Sequence, residues 1–171
     1  MNNKVKVLVY GYGNPGRQDD ALGIEMANMI ETWAEKHKIT NVETDSNYQL
    51  KVEDAEKISH KDVVIFVDAS QEDIHEYKFD HLESSSKKVE FTMHAVSPEY
   101  VLHVCNDLFN KSPKTCLLGI KGFEWNFKEG LSDNAKLNLE QAFQFLTRKL
   151  EAYIETDIHY PISMLSDESI N

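Results

Sequence analysis

A glycine-rich loop that ends in two carboxylates, residues 11–20, constrains the fold of this chain more than any other stretch. It follows an apolar run at residues 5–10 and precedes a segment in which apolar residues recur at helical spacing. A strand, a tight loop and a helix in this order open an α/β domain, whose ligands bind beyond the carboxyl ends of parallel strands. The loop therefore predicts the class of fold and the place of a binding site together.

The rest of the chain continues this alternation of strands and helices, which predicts a parallel, doubly wound sheet. Strands are expected at residues 5–10, 41–45, 63–67, 74–79, 89–93 and 115–120, with a first helix at 20–38, a turn at 46–47 and a polar loop at 81–88. Ser97 and Pro98 are residue types of a helix N-cap and first turn, and a long helix is expected around residues 139–153. We expect one domain over residues 1–155 and a loosely held tail at 156–171.

The composition disfavours several classes of function. A net charge of −11 argues against nucleic acid and anionic membranes as partners, because both would be repelled. The apolar runs are too short to span a bilayer, and the first residues lack the apolar region of a signal peptide. We therefore expect a cytoplasmic protein without membrane insertion. Cys105 and Cys116 are expected to be buried side chains rather than metal ligands or a disulfide.

Three side chains follow predicted strands at equivalent places: Asp20, Asp68 and His94. Because the strand ends of a doubly wound sheet meet at one crevice, we expect these side chains to converge. Two carboxylates and an imidazole make a partial coordination shell for a divalent transition metal, and the imidazole favours nickel, zinc, copper or iron. Each residue alone also has a structural interpretation, with Asp68 capping a turn and His94 as a hydrogen-bonded histidine.

The acidic pair bears on two other interpretations of the loop. Carboxylates at a helix N-terminus are stabilised by backbone amides, which explains either Asp19 or Asp20 more easily than both. The spacing G-x-G-x-x-G at residues 11–16 is also that of a dinucleotide-binding turn. A pyrophosphate there would face two like charges, and Pro15 offers no amide hydrogen. An NAD-dependent oxidoreductase is therefore the least favoured function.

The loop fits the pattern G-x-G-N-P-x-R-x-D-D-x-x-G from Gly11 to Gly23, which resembles the N-terminal signature of the [NiFe]-hydrogenase maturation proteases. The resemblance continues through residues 64–69, through His94 followed by a Ser-Pro helix start, and through residues 118–132. It covers most of residues 5–150. Within the pattern, the residues expected to shape the loop are Gly11, Gly13, Asn14, Arg17 and Asp19.

The resemblance implies a three-layer α/β sandwich, in which a twisted, mostly parallel five-stranded sheet has helices on both faces. It implies an endopeptidase that removes a short C-terminal extension from the hydrogenase large subunit once nickel has been inserted. The metal contacts of the family carry over to Asp20, Asp68 and His94, the trio already reached from the strand ends. The metal would be nickel supplied by the substrate, or another divalent transition metal. The chain departs from the family at Ala21, where many members have glycine. It also departs at residues 45–50, where some members have an Asp-Gly-Gly-Thr segment and Asp45 is the candidate for the equivalent aspartate.

Two mechanisms remain open at this point. A metal-bound water with a lowered pKa could attack the peptide bond. Alternatively, Asp20 and a second carboxylate, from Asp19, Asp45 or Asp68, could form a general acid/base pair. A nickel-site checkpoint or assembly factor that does not cut its target is a further alternative. In each of these cases the expected partner is the large-subunit precursor, and we expect the protein to act as a monomer.

Overall fold

The computed structural model describes residues 4–86 and 96–155. In these residues a five-stranded sheet runs in the order β2-β1-β3-β5-β4. Its strands are β1 (Val7–Tyr12), β2 (Val42–Asn47), β3 (Val63–Ser70), β4 (Tyr77–Leu82) and β5 (Lys114–Lys121). Neighbouring strands are parallel except for the antiparallel pair of β4 and β5. The prediction of a mostly parallel five-stranded sheet is confirmed.

Helices cover both faces of this sheet, as predicted. They are α1 (Leu22–Lys36), α2 (Asp54–Ser59), α3 (Pro98–Phe109) and α4 (Asp133–Glu155), and a short 3₁₀ helix (Gln18–Ala21) precedes α1. One face packs against α1 and α4, and the other packs against α2 and α3. The fold is therefore a three-layer α/β sandwich. None of the helices within the described residues is long and apolar enough to cross a membrane.

The central strand β1 shows why these residues form this sheet. Val7 and Val9 belong to the core under α1 and α4, whereas Leu8 and Tyr10 belong to the core under α2 and α3. A strand covered on both faces needs apolar side chains at successive positions, which is the pattern that predicted it. The hydroxyl of Tyr10 is satisfied by donating to the carboxylate of Asp54, at 3.1 Å and 3.2 Å from its two oxygens.

Several predicted boundaries differ from the structure. The predicted turn at 46–47 is wrong, because β2 continues there by pairing with Gly11 and Tyr12 of β1. Likewise β4 includes His81, placed in a loop by the sequence, because His81 pairs with Cys116 of β5. The helix predicted at 20–38 begins as a 3₁₀ helix and ends at Lys36. The strand predicted at 89–93 and the tail at 156–171 lie outside the described residues.

Other local predictions are confirmed. The Ser97 hydroxyl accepts a hydrogen bond from the Tyr100 amide at 3.2 Å, and Pro98 occupies the first turn of α3. This is the N-cap arrangement that satisfies an otherwise unpaired amide of the helix. Cys105 and Cys116 are both buried.

Two glycines let α1 approach the strands that carry the predicted site. A Cβ on Gly23 would lie 2.3 Å from the Val67 carbonyl oxygen and 2.5 Å from that of Tyr12. A Cβ on Gly11 would lie 1.9 Å from the Gly23 carbonyl oxygen. The first turn of α1 therefore rests directly on the backbones of β1 and β3, and only glycine fits at this crossing.

We expect Gly23→Ala to destabilise the protein by more than about 3 kcal/mol, because the new methyl group overlaps backbone atoms that cannot move independently. Urea unfolding followed by circular dichroism measures the loss. Gly16→Ala is the matched control, since its Cβ would meet only the flexible Asn14 side chain at 3.2 Å. The control should stay within about 1 kcal/mol of the native chain. Equal stabilities for the two variants would contradict the packing argument.

Candidate functional site

Asp68 lies near the carboxyl end of β3, beside Tyr12 of β1. The strands pair in parallel with Gly11 opposite Val67, so that Tyr12 and Asp68 are neighbours on the face covered by α2 and α3. The Tyr12 hydroxyl forms a hydrogen bond with the Asp68 carboxyl. The backbone amide of Ala69 donates to the same carboxyl at 2.8 Å. These contacts fix the orientation of Asp68 at the strand end.

Asp20 lies in the 3₁₀ helix that follows the glycine loop. Its Oδ2 accepts a hydrogen bond from the Asn14 amide at 3.0 Å. Gly13 has a φ of +141°, and a Cβ on it would lie 1.9 Å from the Asp20 carbonyl oxygen. The loop therefore folds back on Asp20 through Gly13 and Asn14. The protein's own backbone fills the space at Gly11 and Gly13, which argues against these glycines as a cradle for a dinucleotide.

The two carboxyls interact electrostatically. The pKa of Asp68 is raised to about 7, mainly by burial and to a smaller extent by the charge of Asp20, whereas the hydrogen bonds from Tyr12 and Ala69 oppose the rise. Burial and the charge of Asp68 in turn raise the pKa of Tyr12, whose hydroxyl therefore stays protonated. A carboxyl that titrates near neutral pH is suited to transfer protons, and such perturbed groups cluster at functional sites.

Asp19, the neighbour of Asp20, has a different environment. It is fully buried, and its carboxylate accepts hydrogen bonds from the backbone amides of Phe123, Glu124 and Ser132 at 2.7–2.9 Å. The Ser132 hydroxyl donates to it as well, at 2.7 Å. Although burial alone would raise the pKa of Asp19, these hydrogen bonds lower it below its usual value. Asp19 therefore ties the glycine loop to residues 122–132, the β5–α4 loop.

Gln18 and Arg17 extend this connection. The backbone amide of Gln18 donates a hydrogen bond to the Lys128 carbonyl at 2.8 Å. The side-chain Nε2 of Gln18 donates another to the Glu124 carboxylate at 2.6 Å. Gln18 has a φ of +45°, a strained value for a residue with a side chain. The Arg17 guanidinium lies over the Phe127 ring, 5.4 Å from its centre. Three successive residues of the motif are thus held by the β5–α4 loop.

The structure places Asp45 apart from this pair. Asp45 lies on β2 opposite Tyr10 and forms an ion pair with Lys57 of α2. Lys57 also lies 3.8 Å from Asp54, so the ion pair belongs to the contacts that seat α2 on the sheet. The structure brings Asp20 and Asp68 together, whereas His94 lies outside the described residues. Within residues 4–86 and 96–155, no three His, Cys, Asp or Glu side chains are grouped as a metal site would require.

Sequence reasoning missed two contributors to the site. Tyr12 occupies a variable position of the motif, so the motif did not point to it. Its contact with Asp68 follows from the alternation of side chains along β1 and from the register of β1 and β3. The β5–α4 loop entered the argument only through the resemblance. Its contacts with Asp19 cross 104 to 113 residues of chain, and no local pattern indicates such a separation.

Comparison of the whole chain with known proteins agrees with this description. No protein-family model and no curated protein sequence matches the chain. Among solved structures, the [NiFe] hydrogenase maturation protease HycI from Thermococcus kodakarensis superposes with a TM-score of 0.68 at 20% identity, over 87% of this chain and 94% of its own. The hydrogenase maturating endopeptidase HybD from E. coli superposes with a TM-score of 0.64 at 17% identity, over 86% and 93% of the two chains. An endopeptidase from E. coli gives a TM-score of 0.67 at 18% identity, over 90% and 97%.

The chain has the fold of these maturation proteases. The match extends over nearly the whole length of each protease, with 94% and 93% of the two chains covered. The fold expected from the resemblance is thereby confirmed.

We expect Asp19→Ala to lower the free energy of unfolding by more than about 3 kcal/mol, because it removes the acceptor of three backbone amides and one hydroxyl. Asp133→Ala, at a side chain 99% exposed, serves as the control and should change stability by less than about 0.5 kcal/mol. Urea unfolding measures both. A loss in Asp19→Ala no greater than in the control would show that the carboxylate does not hold the two loops together.

The raised pKa of Asp68 predicts a pH dependence of stability. The native state binds this proton more tightly than the unfolded state, so the contribution is complete below about pH 4 and is lost as the pH rises through about 7. Asp68→Asn removes this dependence, and we expect its stability relative to the native chain to rise between pH 5 and pH 8 by at most about 3 kcal/mol. Asp73→Asn, at a fully exposed side chain, is the control. Parallel stability curves for Asp68→Asn and the native chain would contradict the assignment.

Proposed function

We propose that this protein is an endopeptidase that removes the C-terminal extension from a [NiFe]-hydrogenase large-subunit precursor already loaded with nickel. The observation that carries the proposal is the coupled carboxyl pair Asp20 and Asp68, at the carboxyl ends of β1 and β3 in the fold of the maturation proteases. The glycine loop that orients Asp20 is the stretch whose motif resembles that family. Fold, motif and chemistry therefore support one function.

The pair is suited to hydrolyse a peptide bond by acid–base catalysis. With a pKa of about 7, the Asp68 carboxyl can either hold or release a proton near neutral pH. Burial and, to a smaller extent, the charge of Asp20 raise the pKa of Asp68, which suits it to a proton-transfer role, as in other enzymes where two carboxyls take different roles. One carboxyl would accept a proton from the attacking water, and the other would deliver a proton to the departing amide nitrogen. Tyr12 would hold Asp68 in position.

Nickel enters this proposal as part of the substrate. Asp20, Asp68 and His94 are the residues that would contact it, and two carboxylates with one imidazole are ligand types that nickel accepts. A cation would also offset the repulsion that raises the pKa of Asp68. A precursor without nickel would leave that repulsion uncompensated, which explains in physical terms why cleavage would wait for metal insertion.

The test is cleavage of a nickel-loaded precursor by the purified protein, followed as a shift of the precursor to its shorter form. We expect Asp20→Asn, Asp68→Asn and His94→Ala each to slow cleavage by about 10²-fold or more, since each removes a group in contact with the reacting region. Asp45→Asn tests whether Asp45 takes part in the reaction alongside Asp20 and Asp68. Because Asp45 is paired with Lys57, this variant should cleave within a few-fold of the native rate.

Two outcomes would contradict the proposal. Stable binding of the nickel-loaded precursor without any cleavage would instead identify a checkpoint or assembly factor. Normal cleavage by all three variants of Asp20, Asp68 and His94 would show that the reaction takes place elsewhere. Circular dichroism of each variant establishes that a loss of activity is not a loss of fold.

A further inference from the structure

Arg17 presents a cation beside the proposed site that has no anionic partner among residues 4–86 and 96–155. Its Nε is buried and has no hydrogen-bond acceptor. Its guanidinium takes part in none of the ion pairs formed among the described residues. In a chain with 29 Asp and Glu residues and a net charge of −11, an unpaired arginine in a partly buried position calls for an explanation.

The guanidinium is held in place although it lacks an anionic partner. The Arg17 amide donates to the Asn14 carbonyl at 3.0 Å, and the Arg17 carbonyl accepts from the Asp20 amide at 3.1 Å. Arg17 also pairs with Lys128 in an isolated β-bridge. The guanidinium lies against the Phe127 ring, whose residue is 88% exposed. A cation fixed by the backbone and by ring stacking loses little further freedom when a ligand binds it.

A buried N–H without an acceptor lowers stability, because its hydrogen bond to water is lost and not replaced. Arg17, which carries this unpaired N–H, directly precedes the 3₁₀ helix that contains Asp20. Phe127 and Phe123, exposed by 88% and 44%, offer apolar surface on the same loop. One end of the sheet therefore carries the Arg17 guanidinium, two exposed aromatic rings and the Asp20–Asp68 carboxyl pair.

We propose that Arg17 and Phe127 form a subsite for a carboxylate of the precursor, seated beside the Asp20–Asp68 pair. The fork of donors on a guanidinium matches the two oxygens of a carboxylate, and an aromatic ring beneath it leaves the outward edge free for such a ligand. This inference rests on the proposed function. It adds a specificity determinant, because it requires an anionic group in the segment that is cleaved.

The carboxylate can come from an acidic side chain of the precursor's extension or from its C-terminus. Both sources present the same chemical group, and two altered substrates distinguish between them. One substrate is a nickel-loaded precursor whose extension carries Gln and Asn in place of Glu and Asp. The other is a precursor whose C-terminal carboxylate has been converted to an amide by peptide ligation.

The experiment compares kcat and KM of the native chain, Arg17→Gln and Arg17→Lys on these substrates. We expect both variants to raise KM for the unmodified precursor about 10-fold or more with kcat within about 3-fold, because they remove the paired donors without touching the reacting carboxyls. One of the two altered substrates should show the same rise in KM with the native chain. Arg17→Gln should not distinguish that substrate from the unmodified precursor.

Lys121→Gln is the matched control. Lys121 also lies over an aromatic ring, that of Phe123 at 5.9 Å, but its charge is already paired with Asp73 at 3.3 Å. We expect Lys121→Gln to have the KM of the native chain for the unmodified precursor. Urea unfolding of Arg17→Gln should show the midpoint of the native chain, since a buried donor without an acceptor is removed together with the ring contact.

The outcomes separate the two proposals. If the native chain cleaves the precursor and Arg17→Gln has the native KM, the subsite is overturned while the proposed function stands. The subsite is also overturned if neither altered substrate raises the KM of the native chain, or if kcat falls and KM does not change. If the native chain does not cleave nickel-loaded precursor at all, the proposed function and the subsite fail together.

Discussion

The buried carboxylate of Asp19 is the interaction on which the rest of the site depends. It joins two loops that lie far apart in the sequence, and it does so by accepting hydrogen bonds from three backbone amides and one hydroxyl of the β5–α4 loop. A fully buried charge is tolerated only when its hydrogen-bonding capacity is used, and here it is. The β5–α4 loop then supplies the contacts to Gln18 and Arg17 that complete the shape of the glycine loop.

Within this pair of connected loops, several residues of the sequence motif have an identifiable physical role. Gly11 and Gly23 let β1, β3 and α1 come into backbone contact, and Gly13 gives the loop the conformation in which it wraps around Asp20. Asn14 donates its amide to the carboxylate that it orients. The motif therefore encodes a tight crossing of strands and helix with one carboxyl directed toward Asp68, and most of its residues serve the placement of that carboxyl.

The features that could be predicted from the sequence are those set by local patterns. The burial of β1 on both faces, the N-cap at Ser97 and the positions of Asp20 and Asp68 at strand ends all follow from spacing along the chain. The contact between Tyr12 and Asp68 depends on the register of two strands, and the environment of Asp19 depends on a loop more than 100 residues away. The extension of β2 through Asn47 likewise depends on the partner strand. Such features arise from tertiary pairing, which periodicity does not encode.

Asp19 and Asp20 are adjacent, identical in chemistry and different in what their loss would do. Under the proposed function, we expect substitution of either one to abolish activity. A screen that scores the amount of folded protein in the cell should separate them, because the loss of the buried carboxylate is expected to expose the chain to degradation more than the loss of its neighbour. In a chain of this fold, abundance and activity measured side by side would thus tell a structural acid from a proposed reactive one.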